Sequence, residues 1–195
     1  MIDVNSNIEG IETRKIAFII VAYKEIFHTT ICYKTLINSI NEIKFKDYFI
    51  FIYDNTDDVN WNIQYDNKLN KDTLYYYHDS QNSGLSVAYN RMALEAEKRH
   101  VNWIILFDQD TTLPRNAVSE YIKGMNKHPN IALKVPILYI GDRIFSPMKF
   151  RFMRSIPLKK PLKQIYNLSQ YAFVNSGLMV NLAFYKKIGG YNEKI

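Results

Sequence analysis

The sequence holds a single cysteine, Cys32, so no internal disulfide can form, and a reducing compartment is the natural setting. It has no apolar run near the eighteen or so residues that cross a bilayer as a helix. Residues 1–12 are polar and acidic, unlike a signal peptide, and the expected location is cytoplasmic. Glycine and proline are sparse, seven and six in 195 residues, and no repeat, low-complexity tract or linker divides the chain. Acidic residues run out partway along. Residues 1–110 carry 11 Lys/Arg against 16 Asp/Glu, whereas residues 111–195 carry 14 against 3, namely Glu120, Asp142 and Glu193. Halves of net −5 and +11 point to two different tasks, a division that an evenly basic nucleic-acid binder would not need.

What is present is a foldable chain. Apolar residues make up 47% and aromatic residues 14%, enough for one real core, so a single domain is expected. The chain is organised around residues 103–111, Trp-Ile-Ile-Leu-Phe-Asp-Gln-Asp-Thr. Five apolar residues in a row read as a strand buried on both faces. The strand ends in Asp108 and Asp110, where the ligand of an open α/β sheet sits. Two carboxylates aimed at one spot repel unless one is protonated or a cation lies between them, and a divalent metal carrying a phosphate satisfies both.

Residues 16–23 predict the first strand, and Thr29 or Thr30 a cap for a helix carrying Leu36, Ile40 and Ile43. Residues 48–53 predict a second strand ending in Asp54-Asn55, and residues 74–77 a third ending near His78-Asp79. Residues 82–91 read as a glycine-containing turn entering a helix lined by Ala88, Ala93 and Ala96. Pro114 is expected in the first turn of a helix with Val118, Ile122 and Met125. Residues 132–140 predict an edge strand interrupted by Pro136, and residues 141–170 show no clear period. A short apolar segment at 173–180 breaks at Ser176-Gly177, and Asn181 caps a last helix that Gly189-Gly190 end. Strands alternating with helices predict a mostly parallel α/β sheet.

In this order, Ala22-Tyr23, Asp54-Asn55, the stretch from Asn82 through Gly84 to Asn90, and Phe107-Asp108-Gln109-Asp110 resemble a family 2 glycosyltransferase with the GT-A fold. Asn175-Ser176-Gly177 and residues 188–193 resemble the acceptor side of that family, and Asp-Gln-Asp its rhamnosyltransferase-like branch. The resemblance implies a Rossmann-like domain over 1–195, with a nucleotide-sugar-binding half at 1–112 and an acceptor-side half at 113–195. It implies an inverting enzyme taking a UDP- or dTDP-sugar, in which Ala22, Tyr23, Asp54 and Asn55 form the base pocket. Asn82, Gly84 and Asn90 would lie along the nucleotide and sugar, and Asp108 near the ribose or sugar. Asp110, with Asp108, would hold Mg²⁺ or Mn²⁺ against the diphosphate, stabilising it as a leaving group. Arg91 reads as a helix-surface residue.

Two other readings compete. Asp108-Gln109-Asp110-Thr111-Thr112 also fits the nucleophile motif of a haloacid-dehalogenase-type phosphatase, which needs a later acidic pair that the isolated Glu120, Asp142 and Glu193 do not supply. Residues 143–163 hold seven basic residues and no acid among Phe145, Met148, Phe150, Phe152 and Met153, as a basic binding module would. Under the glycosyltransferase resemblance, that basic half predicts a glycan or lipid-linked acceptor of anionic character, or peripheral docking on the inner face of the membrane. An inverting transferase also needs a general base. The family's base usually lies just beyond the Gly-Gly-Tyr-Asn-Glu element. This sequence stops at Ile195, so a C-terminally incomplete acceptor half with poor transfer is expected. Of the three acids after Asp110, only Glu193 is placed near the acceptor by the family's layout, and it is the candidate by that elimination.

Overall fold

The computed structural model of the protein describes residues 15–61, 72–151, 154–160 and 170–194. In chain order the first half holds β1 (Ile16–Ala22), a 3-10 turn (Phe27–Thr29), α1 (Ile31–Glu42), β2 (Tyr48–Asp54), β3 (Leu74–His78), α2 (Gly84–Lys98) and β4 (Trp103–Asp108). The second half holds α3 (Ala117–Lys127), β5 (Leu133–Lys134), β6 (Leu138–Ile140), β7 (Arg143–Ser146), β8 (Met148–Arg151), β9 (Arg154–Pro157), β10 (Tyr171–Ala172), β11 (Met179–Asn181) and α4 (Leu182–Lys187).

The main sheet has the order β3-β2-β1-β4-β11-β5. Its first four strands are parallel, and β11 runs antiparallel to both β4 and β5. β1 is buried along its whole length, as a central strand covered on both faces must be. Its alternate side chains serve two cores. Ile16, Phe18, Ile20 and Ala22 pack with residues of α1 and α3, whereas Ala17, Ile19 and Val21 pack with residues of α2 and α4. Each fully buried Ile or Phe contributes roughly 1.5–3 kcal/mol, so these two layers fix the sheet on which the strand ends are displayed.

Of the two candidate caps, Thr30 serves α1, its hydroxyl accepting from the Tyr33 N–H at 3.2 Å. Leu36 and Ile40 are buried, but Ile43 falls one residue past the helix and is 37% exposed. Pro114 lies outside its helix, with its carbonyl accepting from the Ala117 N–H at 2.9 Å. Ser39 of α1 holds that helix start instead, donating to the Arg115 carbonyl at 2.8 Å and accepting from the Val118 N–H at 2.9 Å. Asn181 caps α4 through the Phe184 N–H at 3.1 Å.

The single strand expected over 132–140 is two. β5 ends before Pro136, which has no N–H for a ladder, and β6 pairs with β7 in a separate hairpin. The patternless stretch after 140 contains β7, β8 and β9, and β10 completes a three-stranded sheet of order β10-β8-β9. Of the apolar segment at 173–180 only its end is strand, because Gly177 at φ +79° turns the chain first. Phe152, Met153 and Lys163 of the basic stretch lie outside the described residues.

Candidate functional site

The parallel register brings the C-terminal ends of four strands level. Ala22 lies opposite Asp54, Val21 opposite Asp108, and Asp54 opposite His78. Pairing continues past the strands, with the Asn55 N–H donating to the Ala22 carbonyl and the Asp79 N–H to the Asp54 carbonyl, both at 2.8 Å. At this edge lies a cavity of about 380 Å³, lined by Val21, Tyr23, Asn55, Asn82, Gly84, Leu85, Asp108, Gln109 and Asp110. That is a size suited to a small organic ligand, placed where open parallel sheets bind one.

Asp108 and Asp110 face this space from the exit of β4. Asp108 is half-buried, and burial, reinforced by the charge of Asp110, raises its pKa against the opposing effect of the Tyr89 hydroxyl, which donates to it at 3.4 Å. Asp110 is exposed. Ser176 steadies the turn, accepting from the Asp108 N–H at 3.3 Å and sharing a short hydrogen bond with the Thr111 hydroxyl.

Between the two acids, Gln109 closes the cavity wall. Its Oε1 accepts from the Tyr23 N–H at 2.7 Å and its Nε2 donates to the Tyr23 carbonyl at 3.2 Å. The side-chain amide thus pairs with the backbone as a neighbouring strand would, joining the exits of β1 and β4. From the other side, the Lys24 N–H donates to the Thr56 hydroxyl at 2.8 Å. The Tyr23 ring is left exposed, and Lys24 lies both over that ring and in an ion pair with Asp57 at 3.0 Å.

The remaining wall comes from β2 and the entry to α2. Asn55 is 4% exposed and its Oδ1 has no hydrogen-bond partner among the described residues. Such an atom, at the wall of a cavity, is poised for a donor supplied by a ligand. Gly84 takes φ +88°, with no protein atom within 4 Å of where a Cβ would lie. Its need is therefore conformational, and the space beside it is open. Asp79 holds this turn, accepting from the Ser83 N–H, the Gln81 N–H and the Tyr53 hydroxyl at 2.8–3.0 Å. Burial alone would raise its carboxyl, but these bonds outweigh it and hold the pKa at about 2.

Three residues expected beside the ligand, Asp54, Asn90 and Ala22, are occupied elsewhere. Asp54 is fully buried and does not line the cavity. Its Oδ1 accepts from the Thr56 N–H and hydroxyl at 3.0 and 2.6 Å, and its Oδ2 from Trp61 Nε1 and the Tyr76 hydroxyl at 2.8 and 2.9 Å. It shapes the loop that presents Asn55. Asn90 likewise stands outside the lining. Its Oδ1 accepts from the Tyr185 hydroxyl at 2.6 Å and the Tyr191 N–H at 2.9 Å, while its Nδ2 donates to the Tyr191 carbonyl at 2.9 Å and Glu193 Oε1 at 2.8 Å. Asn90 thereby ties Glu193 and the Gly189-Gly190 turn to α2. Ala22 packs in the core, leaving its carbonyl to hold Asn55. Arg91 lies 3.6 Å over the Tyr77 ring, a surface cation on an aromatic face. Sequence reasoning gave Gln109 no role and passed over Val21 and Leu85. Position relative to the strand end and helix start, rather than residue chemistry, marks all three.

Among the described residues no group of three or more His, Cys, Asp or Glu stands together. The pair Asp108/Asp110 still suits a cation that takes one or two carboxylates and completes its shell with water and substrate phosphates, as Mg²⁺ does.

An open, mostly parallel sheet flanked by helices, with a polar cleft at its strand exits, defines the GT-A, Rossmann-like class. The chain belongs to glycosyl transferase family 2, which it matches over residues 17–188. Among solved structures, S. aureus TarS 1–349 in complex with UDP shares 14% identity at TM-score 0.55, covering 92% of this chain and 51% of that one. A mannosyltransferase from Pyrobaculum calidifontis, PcManGT, in complex with GDP-Man and Mn²⁺, shares 13% at TM-score 0.55, covering 94% and 49%. These likenesses establish the fold, and the chain spans about half the length of those two relatives. No curated protein matches the sequence.

Proposed function

We propose that the chain binds a nucleoside-diphosphate sugar in the cleft and, as an inverting glycosyltransferase, moves the sugar to a glycan or lipid-linked acceptor. The observation carrying this reading is the meeting of Tyr23, Asn55, Asn82, Gly84, Asp108, Gln109 and Asp110 around one cavity. In it, Tyr23 and Asn55 face the base, Asn82 and Gly84 border the nucleotide, and Asp108 and Asp110 hold Mg²⁺ or Mn²⁺ at the diphosphate. Bound there, the metal offsets the charge of the departing diphosphate. The ligands of TarS and PcManGT, UDP and GDP-Man, lend support to a nucleotide-sugar donor. Asp-Gln-Asp favours a rhamnosyl donor such as a dTDP-sugar.

The acceptor hydroxyl must lose its proton as it attacks from the face opposite the leaving group. Glu193, held by Asn90, is the acid we assign to that step, and the basic second half supports an anionic acceptor and a peripheral position on the cytoplasmic leaflet. A phosphatase use of Asp108 would call for further carboxylates nearby, and no such cluster exists among the described residues.

A melting experiment tests the proposal. UDP or dTDP raises the melting temperature when Mn²⁺ or Mg²⁺ is present and not in EDTA, and Asp110→Ala removes the dependence. Equal stabilisation with and without EDTA overturns the metal-dependent reading.

A further inference from the structure

The small sheet β10-β8-β9 segregates its side chains by face. In the antiparallel register Lys149 lies opposite Ile156 and Arg151 opposite Arg154, while Met148 faces Pro157 and Phe150 faces Ser155. Directly opposed residues share a face, so Lys149, Arg151, Arg154 and Ile156 stand together on one side, joined by Tyr171, which pairs with Lys149. Met148, Phe150, Pro157 and Ala172 occupy the other.

The same mixture continues beside it. In β7, Ile144 and Ser146 are buried while Arg143 and Phe145 alternate with them on the exposed side. Lys159 and Lys160 follow β9, and among the described residues Lys149, Arg154, Lys159 and Lys160 have no ion-pair partner. The nearby acid Asp142 sits in the β6–β7 turn, outside this run. Large exposed hydrophobics gather here as well: Tyr139, Ile140, Phe145, Phe150 and Ile156 are each 41–64% exposed.

We propose that the cationic face of β8 and β9 (Lys149, Arg154, Ile156) is a docking surface for a bilayer rich in anionic headgroups. Charge complementarity selects the occupant. Cations without nearby acids attract an anionic interface, and the exposed Ile156 among them suits the headgroup–acyl boundary. A single-stranded nucleic acid would instead require a platform of rings on the cationic face, where Tyr171 is the one ring among the described residues. No helix among the described residues is long and apolar enough to cross a membrane. The surface deepens the peripheral position proposed above and is separate from the nucleotide cleft, so its failure would remove that position and leave the nucleotide-sugar reading standing.

Flotation of the full chain with vesicles supplies the test. Vesicles of phosphatidylcholine containing phosphatidylglycerol carry the protein upward at low salt, pure phosphatidylcholine vesicles do not, and raised NaCl releases it. The double variant Lys149→Gln/Arg154→Gln partitions about thirtyfold less, since each cation near such a surface contributes roughly fivefold. Ile156→Ser weakens binding without changing its salt dependence. UDP-induced stabilisation of both variants matches that of the parent, which shows that they fold. Equal partitioning to neutral and anionic vesicles, no partitioning to either, or an unchanged double variant overturns the proposal. So does tighter capture by a mixed-sequence single-stranded oligonucleotide than by anionic vesicles, which would assign the face to nucleic acid.

Discussion

Asn90 offers the sharpest division between a residue that holds the fold and one that touches ligand. Its amide makes four hydrogen bonds, to the Tyr185 hydroxyl, both backbone groups of Tyr191, and Glu193. The ring of Tyr191 in turn lies 5.4 Å from that of Tyr89, and its hydroxyl reaches Asn175 Oδ1 at 2.7 Å. Asn90→Ala removes all four bonds and strands the hydroxyl of Tyr185, a residue only 5% exposed. At a net of about 0.5–1.5 kcal/mol per bond, with the exposed Glu193 contact near zero, the loss comes to roughly 2–4 kcal/mol. For a chain of this length that lowers the melting temperature by about 5–15 °C. Asn90→Asp keeps both acceptor bonds but loses the two donors and meets Glu193 with like charge, so it falls between parent and alanine. Thermal melts give the magnitude, and hydrogen exchange locates the loss at α4 and residues 188–193. A variant that melts like the parent but no longer binds UDP would refute this reasoning and return Asn90 to the ligand.

Three further outcomes follow from the site. Asp79 has a folded pKa of about 2 against 3.8 for the free group, so its stabilising effect is complete above 3.8 and is lost as pH falls toward 2. Urea midpoints measured across that window drop, and the drop shrinks in Tyr53→Phe. Asp108 is raised by burial and by Asp110, so protons compete with metal there, and Mn²⁺ affinity climbs with pH until Asp108 is ionised. Asp110→Asn removes the repulsion and lowers the Asp108 midpoint, which an NMR titration of its carboxyl carbon reads directly. Gln109→Ala frees the Tyr23 backbone and weakens UDP binding by about fivefold to thirtyfold, as expected for one or two neutral hydrogen bonds. Gln109→Glu retains the bond from the Tyr23 N–H, loses the one to its carbonyl, and binds Mn²⁺ more tightly. Equal UDP affinity in all three proteins would remove Gln109 from the wall.

Where burial imposes a period, the sequence announces the structure. β1, β2 and β4 are strands sealed on one or both faces, and their apolar runs say so. The caps at Thr30 and Asn181 follow from local chemistry. The second half is different. Strands β8 and β9 are mostly exposed on both faces; the alternation Met148-Lys149-Phe150-Arg151 spans only four residues, too few to announce a strand, and the pairing depends on partners the local sequence does not reveal. At the site, residue types were legible and directions were not. Asp54 continues the face of Ile50 and Ile52, toward α1 and α3, which carries its carboxylate into the core, and Asn55, one residue on, turns to the cavity. Asp108 continues the face of Ile104 and Leu106 and so reaches Tyr89 of α2. Counting parity from the strand interior separates these cases, whereas the acidic strand end by itself does not.

The proposed divalent ion, held by Asp108 and Asp110 against a nucleotide in the cleft, can be located directly with paramagnetic Mn²⁺. In ¹⁵N-labelled protein saturated with UDP, substoichiometric Mn²⁺ should broaden the amides of Gly84, Asp108, Gln109 and Asp110 first, with the effect sharply reduced when UDP is omitted or Asp110 is alanine. Broadening that centres elsewhere, or that is identical with and without UDP, contradicts the assignment of this cleft.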